Sequence, residues 1–104
     1  MVKKAFKMKL FPGNRDEYKK RHDLIWPELV EVLKQHGAKT YSIFLDEETN
    51  ILFSYIEMDN VEDWNKVSET KVCKKWWDFM KDIMDTNVDN SPVSIELCNV
   101  FDLK

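Results

Sequence analysis

Two stretches of this chain hold side chains able to do chemistry or to grip a ligand. One is EYKKRHDLIWPEL, in which Tyr18 and His22 stand four residues apart. The other is VCKKWWDFMKDIM, with Trp76 and Trp77 adjacent. Histidine has an ordinary pKa of about 6.5, so His22 is the best acid–base candidate in the sequence. Residues four apart share one helix face, so Tyr18 and His22 can touch, and Ile25 continues that face. A histidine in line with apolar residues also reads as a hydrogen-bonded, partly buried structural side chain, and the pattern leaves both readings open. The second histidine, His36, falls near a helix C-terminus, where it complements the helix dipole.

Neighbouring residues on a helix point about 100° apart, so Trp76 and Trp77 cannot both sit at the centre of one buried stripe. Val72, Trp76, Phe79 and Ile83 make the centre of that stripe, and Cys73, Trp77, Met80 and Met84 widen it on one side. Lysines and aspartates take the opposite arc. Both indoles read either as core aromatics or as the wall of a small-ligand site. Indole faces pack on the C–H faces of sugars, and the indole N–H donates to a hydroxyl. Tyr41 lies on a strand beside Ile43 and Leu45, and its phenol needs a hydrogen-bond partner if buried, which a bound hydroxyl would provide.

Many other chemistries lack their residues here. Two glycines in the chain leave no phosphate-binding glycine loop. No HExxH, no GxSxG and no His/Cys cluster at metal spacing occurs, so no metal is expected. Cys73 and Cys98 form no CxxC and read as reduced thiols. A net charge of −3 argues against a nucleic-acid partner. The start MVKKAFKMKLF has no long apolar run, and no segment approaches membrane-spanning length, so a cytoplasmic protein without a membrane partner is expected. What remains is cofactor-free acid–base chemistry or plain binding.

The elements that must position these residues follow from periodicity. The chain of 104 residues fits one domain, residues 1–104. Alternation from Ala5 to Leu10 predicts a strand, closed by Pro12-Gly13. Asn14 with Glu17 predicts a capped helix start. The helix runs from about Arg15 to about His36, is kinked or restarted at Pro27, and ends at Gly37. Tyr41–Leu45 and Leu52–Ile56 flank a polar turn and read as a β-hairpin with apolar residues on both faces. A short helix from Asn60 to about Val67 leads into a helix over about Thr70–Met84. The polar loop DTNVDNSPVS either forms Asx-type turns or covers a pocket mouth. SIELCNVFDL predicts a last strand. The order β-α-β-β-α-β is the ferredoxin-like arrangement, an α+β fold with one antiparallel sheet and helices on one face. A bare apolar face on the other side calls for a second copy, packed sheet to sheet.

Taken in order, EYKKRH followed by IWPEL, the Tyr41 strand, VCKKWWDFM, and DNSPVS ahead of the final strand resemble the L-rhamnose mutarotase family over essentially the whole chain. The resemblance implies a dimeric α+β barrel of ferredoxin-like subunits, a cytoplasmic homodimer joined through the sheet. It implies an isomerase, an epimerase acting at the anomeric carbon of L-rhamnose with no cofactor. By motif, it implies His22 as the acid–base residue and Tyr18, Tyr41, Trp76 and Trp77 as sugar-binding residues. Opening a pyranose ring removes a proton from the C1 hydroxyl and delivers one to the ring oxygen. His22 is expected to handle the ring-oxygen proton, with the second proton handler open. Two other readings remain: a cofactor-free monooxygenase on a related dimeric barrel, and a non-catalytic ligand-binding module.

Overall fold

Pro27 decides how the first helical stretch is laid out. Its ring disfavours a helical backbone at the preceding residue, and Trp26 is accordingly extended, with φ −63° and ψ 128°. The stretch therefore splits into α1 (Arg15–Asp23) and α2 (Pro27–Gln35). Proline is well suited to the first position of α2, where its missing N–H has no partner to lose. The Trp26 carbonyl accepts from Leu29 and Val30 to start the new helix. Gly37 follows at φ +94°, a left-handed conformation that favours glycine.

In the computed structural model, which describes residues 1–103, β1 (Val2–Lys9) is followed by α1 and α2, then β2 (Ala38–Asp46) and β3 (Ile51–Met58). Next come α3 (Val61–Asn65), a 3₁₀ turn over Lys66–Glu69, α4 (Lys71–Met80) and the short β4 (Ile95–Glu96). All pairings are antiparallel, and the strands lie in the order β2-β3-β1-β4. This is the ferredoxin-like α+β sheet that the element order implies.

Register sorts the two faces. Tyr41 lies opposite Ile56, Ile43 opposite Ser54, and Leu45 opposite Leu52. Phe6 and Met8 complete the same row through their pairing with Ser54 and Leu52. This face packs under the helices, with Leu52, Ile56 and Met58 almost wholly buried. The other face carries Phe44, Phe53 and Ile95, all exposed in the single chain.

Four local expectations need correction. The Asn14–Glu17 capping box does not form: the Asn14 amide turns back to the Phe11 and Pro12 carbonyls, and Glu17 pairs with Arg21 instead. Asn60 does cap α3: the Asp63 N–H donates to Asn60 Oδ1, and the Asn60 side-chain amide donates back to the Asp63 carboxylate. α4 stops at Met80 rather than Met84, because Met84 pairs with Leu10 at the end of β1. The last strand is only Ile95–Glu96, with one further bond from the Leu97 N–H to the Ala5 carbonyl, and Val100, Phe101 and Leu103 lie exposed beyond it. The buried stripe of α4 is centred on Cys73, Trp76 and Met80, while Phe79 is 42% exposed. That rotation carries Trp77 toward the interior, where it packs against the core.

Candidate active site

Between the sheet and the helices lies a cavity of about 1140 Å³. Its floor is the inward row of β1, β2 and β3, and its walls come from α1, α2 and α4. The long loop between α4 and β4 contributes Asn87, Asp89 and Ser91 to the rim. The pocket-mouth reading of DTNVDNSPVS thus matches where the loop lies. Its shape is held by a bond from the Asn87 N–H to the Ser91 carbonyl, and by Asp89, which accepts from both the N–H and the hydroxyl of Ser91. Those bonds hold the Asp89 carboxyl below its ordinary range.

His22 sits on the α1 wall, half-buried. Its Nδ1 lies 2.9 Å from the Tyr18 carbonyl oxygen. A carbonyl can only accept, so Nδ1 carries the hydrogen and Nε2 is left with its lone pair. Burial lowers the His22 pKa, against smaller opposing effects of the Tyr18 carbonyl and Asp23. The ring is therefore neutral at pH 7 and basic at Nε2. The Tyr18 ring stacks on it at 4.3 Å between centroids, and Trp76 meets it edge-on at 5.4 Å. Trp26, freed by the break before Pro27, in turn meets Trp76 edge-on at 5.1 Å.

Tyr18 is buried, and burial pushes its phenol well above the usual range. Tyr41 is 43% exposed as a whole residue, and desolvation, with a smaller effect of Cys73, pushes its phenol up to about 12. Both phenols stay protonated and available as donors. Among the described residues neither hydroxyl has a hydrogen-bond partner, and no non-exposed residue hides an unsatisfied polar side-chain atom. The Tyr18 hydroxyl therefore opens onto the cavity. Cys73 lines the same space, its thiol pushed up to about 11 by burial, which keeps it an inert wall rather than a nucleophile.

All five residues singled out from sequence thus line one cavity: Tyr18, His22, Tyr41, Trp76 and Trp77. His22 meets both Tyr18 and Trp76, Tyr41 lines the cavity from β2, and Trp77 lies beside Trp76 on α4. Sequence reading missed Trp64, which packs on Tyr41 at 6.0 Å, and Ser54 on the floor. The alternation that placed Ser54 between Leu52 and Ile56 was the available signal for the latter. Among the described residues no three His, Cys, Asp or Glu side chains gather as a metal site would require, and no helix is long and apolar enough to cross a membrane.

A family model described as L-rhamnose mutarotase matches residues 3–103. A curated relative named L-rhamnose mutarotase, from Clostridium beijerinckii, is 66% identical over 104 residues and covers 100% of both chains. The crystal structure of an L-rhamnose mutarotase from Formosa agariphila superposes with a TM-score of 0.93 at 49% identity, covering 100% of both chains. An antibiotic biosynthesis monooxygenase superposes with a TM-score of 0.63 at 15% identity over 96% of this chain and 99% of that one, a likeness of fold alone.

Proposed function

The chain belongs to the L-rhamnose mutarotase family, and we propose that it interconverts the α and β anomers of L-rhamnopyranose as a cofactor-free isomerase. The observation that carries this reading is the His22 imidazole. It is neutral, with Nδ1–H held by the Tyr18 carbonyl and Nε2 free, in a cavity walled by Trp76 and Trp77.

Ring opening then proceeds by two proton transfers. Nε2 of His22 takes the proton of the C1 hydroxyl. The O–H electron pair becomes the C1=O π bond as the bond from C1 to the ring oxygen breaks. The ring oxygen receives a proton from the Tyr18 hydroxyl, which is protonated and unpartnered beside His22. Rotation about C1–C2 presents the other carbonyl face, and closure reverses both transfers, so no atom or electron is gained or lost. In this reading the neutral resting ring acts first as the base at O1 rather than as the acid at the ring oxygen, and the imidazolium and phenolate that the step leaves exist only as a transient, adjacent ion pair that closure returns to neutral. Positioned acid–base groups contribute roughly 10²–10⁴-fold. The indoles of Trp76 and Trp77 cover the C–H faces of the sugar, and the apolar floor suits a methyl where other hexoses carry a hydroxymethyl.

The same reading includes a cytoplasmic homodimer. Phe44, Phe53 and Ile95 make an apolar outer sheet face that a second copy would cover.

Saturation transfer between the anomeric NMR signals of L-rhamnose at equilibrium tests the assignment. Wild type should raise the exchange rate far above buffer, and folded His22→Gln should return it close to buffer. Wild-type exchange equal to buffer for L-rhamnose and a panel of related sugars sinks the epimerase reading.

A further inference from the structure

The cavity floor is apolar except at one point. Ser54, in the middle of β3, is only 4% exposed, yet its neighbours in register are Phe6 on β1 and Ile43 on β2. Leu52 and Ile56 flank it along its own strand on the same face. A serine in such a row gives up packing and β-propensity that valine or isoleucine would supply. Its hydroxyl has no hydrogen-bond partner among the described residues, yet it is not a buried unsatisfied group. The oxygen must therefore be wetted from the cavity, which Ser54 lines. Ser54 is also a diagonal neighbour of Tyr41 across β2 and β3, a spacing of roughly 7–8 Å between backbones on one face. That register sets both residues on the same stretch of the cavity floor, which both line.

We infer that Ser54 is a specificity-determining contact: its hydroxyl holds one ring hydroxyl of the sugar on the cavity floor, away from the bond that opens. The inference deepens the sugar-epimerase reading and rests on it. A contact to a hydroxyl that does not react is made equally in ground and transition states, so it acts on KM and leaves kcat alone. A serine that merely fills space would move neither in a sugar-dependent way.

The experiment is anomer exchange by NMR, with titration calorimetry of sugar binding alongside, on wild type, Ser54→Ala and Ser54→Thr. The sugars are L-rhamnose and its monodeoxy analogues. Ser54→Ala should raise KM and Kd for L-rhamnose by roughly 2- to 12-fold, the weight of one neutral hydrogen bond, with kcat within about 2-fold of wild type. The penalty should vanish for the one analogue that lacks the partner hydroxyl, and Ser54→Thr should recover most of it. Unchanged KM and Kd, or an equal penalty on every analogue, overturns the role of Ser54 while wild-type exchange leaves the epimerase reading standing. If wild type binds sugar but does not speed exchange, the epimerase reading falls and the Kd pattern alone decides for or against Ser54. A wild type that binds none of the sugars overturns both.

Discussion

Arg21 ties the helix carrying His22 to the helix carrying Trp76, and its loss should be felt across the molecule. Its guanidinium donates from Nη1 to the Phe79 carbonyl at 2.7 Å and to Asp82 at 2.8 Å, and from Nη2 to Asp82 at 3.1 Å. Nε donates to Glu17 at 2.7 Å, and the guanidinium carbon lies 4.5 Å from the Phe79 ring centre. The Arg21 side chain is 12% exposed, but Asp82 is 62% and Glu17 43% exposed. Solvent screening therefore holds each ion pair to at most about 1 kcal/mol. The bond to the Phe79 carbonyl, from a charged donor to an acceptor at the end of α4, is worth about 1.5–3 kcal/mol. Allowing for overlap between these contributions, Arg21→Met, which keeps the aliphatic stem, should destabilise by about 2–3 kcal/mol. In a domain of this size that lowers Tm by on the order of 10–20 °C.

The assay is thermal unfolding at one fixed protein concentration, since any association of chains would make Tm depend on it. Arg21→Lys should recover less than half of the loss, because an ammonium cannot reproduce the two-pronged bond to Asp82. Acid adds an independent check. The bond to Arg21 holds the Asp82 carboxyl below its ordinary range. The stabilisation is thus complete above about pH 3.9, the ordinary carboxyl value, and disappears as pH falls through the lower folded value. The gap between wild type and Arg21→Met should narrow there. An Arg21→Met protein within 0.5 kcal/mol of wild type at neutral pH, a threshold well under the ~1.5 kcal/mol expected of the carbonyl bond alone, would refute the claim that this side chain clamps α1 to α4.

His22→Gln should cut kcat for L-rhamnose exchange by about 10²–10⁴-fold with little change in KM, as read from exchange rates across sugar concentration; a KM effect alone would make His22 a binding residue. Burial lowers the His22 pKa, and the proposed step needs the neutral ring. Activity should therefore be flat near neutrality and fall on an acid limb centred below about 6.5, and a limb centred above that value contradicts the role of burial. The same depressed pKa makes folding stability decline as pH drops below about 6.5 and level off beneath the folded value, a slope that His22→Gln should remove in denaturant titrations. Sedimentation of wild type should show a two-chain mass, and Phe44→Glu, which sets a charge on the exposed outer face, should shift it to one chain; a monomeric wild type ends the dimer reading.

What the sequence made legible follows from the range of each interaction. Tyr18 and His22 share one uninterrupted helix, so a four-residue spacing was enough to place them together, and they stack. The hairpin was legible because alternation fixes which residues share a face. Other features depend on contacts distant in the chain. Where α4 ends is set by Leu10, 74 positions before Met84, which draws the chain out of the helix into an isolated bridge. Asn14 carries the right residue type for a capping box, but Glu17 has a stronger partner in Arg21, whose fork also reaches Asp82. No local pattern records that competition. Phe79 has the right phase to be buried and is not, because the sheet approaches α4 from the side of Cys73 and Met80.

That approach angle bears on how one fold supports different chemistries. A monooxygenase backbone superposes on this one with a TM-score of 0.63 at 15% identity, so the sheet and helix layer alone specify neither sugar nor oxygen chemistry. What distinguishes this chain is which side chains the layer turns inward. The break at Trp26-Pro27 lets Trp26 swing against Trp76, and Trp76 then meets the edge of His22. The rotation of α4 brings Trp77 to the same space. Two aromatic groups on adjacent positions, which a simple buried stripe could not accommodate, are thereby set along one wall of a cavity whose opposite wall is a sheet. The sugar proposed above would lie between such walls, with its C–H faces on the indoles and its hydroxyls toward Tyr18, Tyr41 and Ser54. Trp76 belongs to the buried core and Trp77 packs against it, so in the proposed reading the pair serves the core on one side and would wall the sugar on the other.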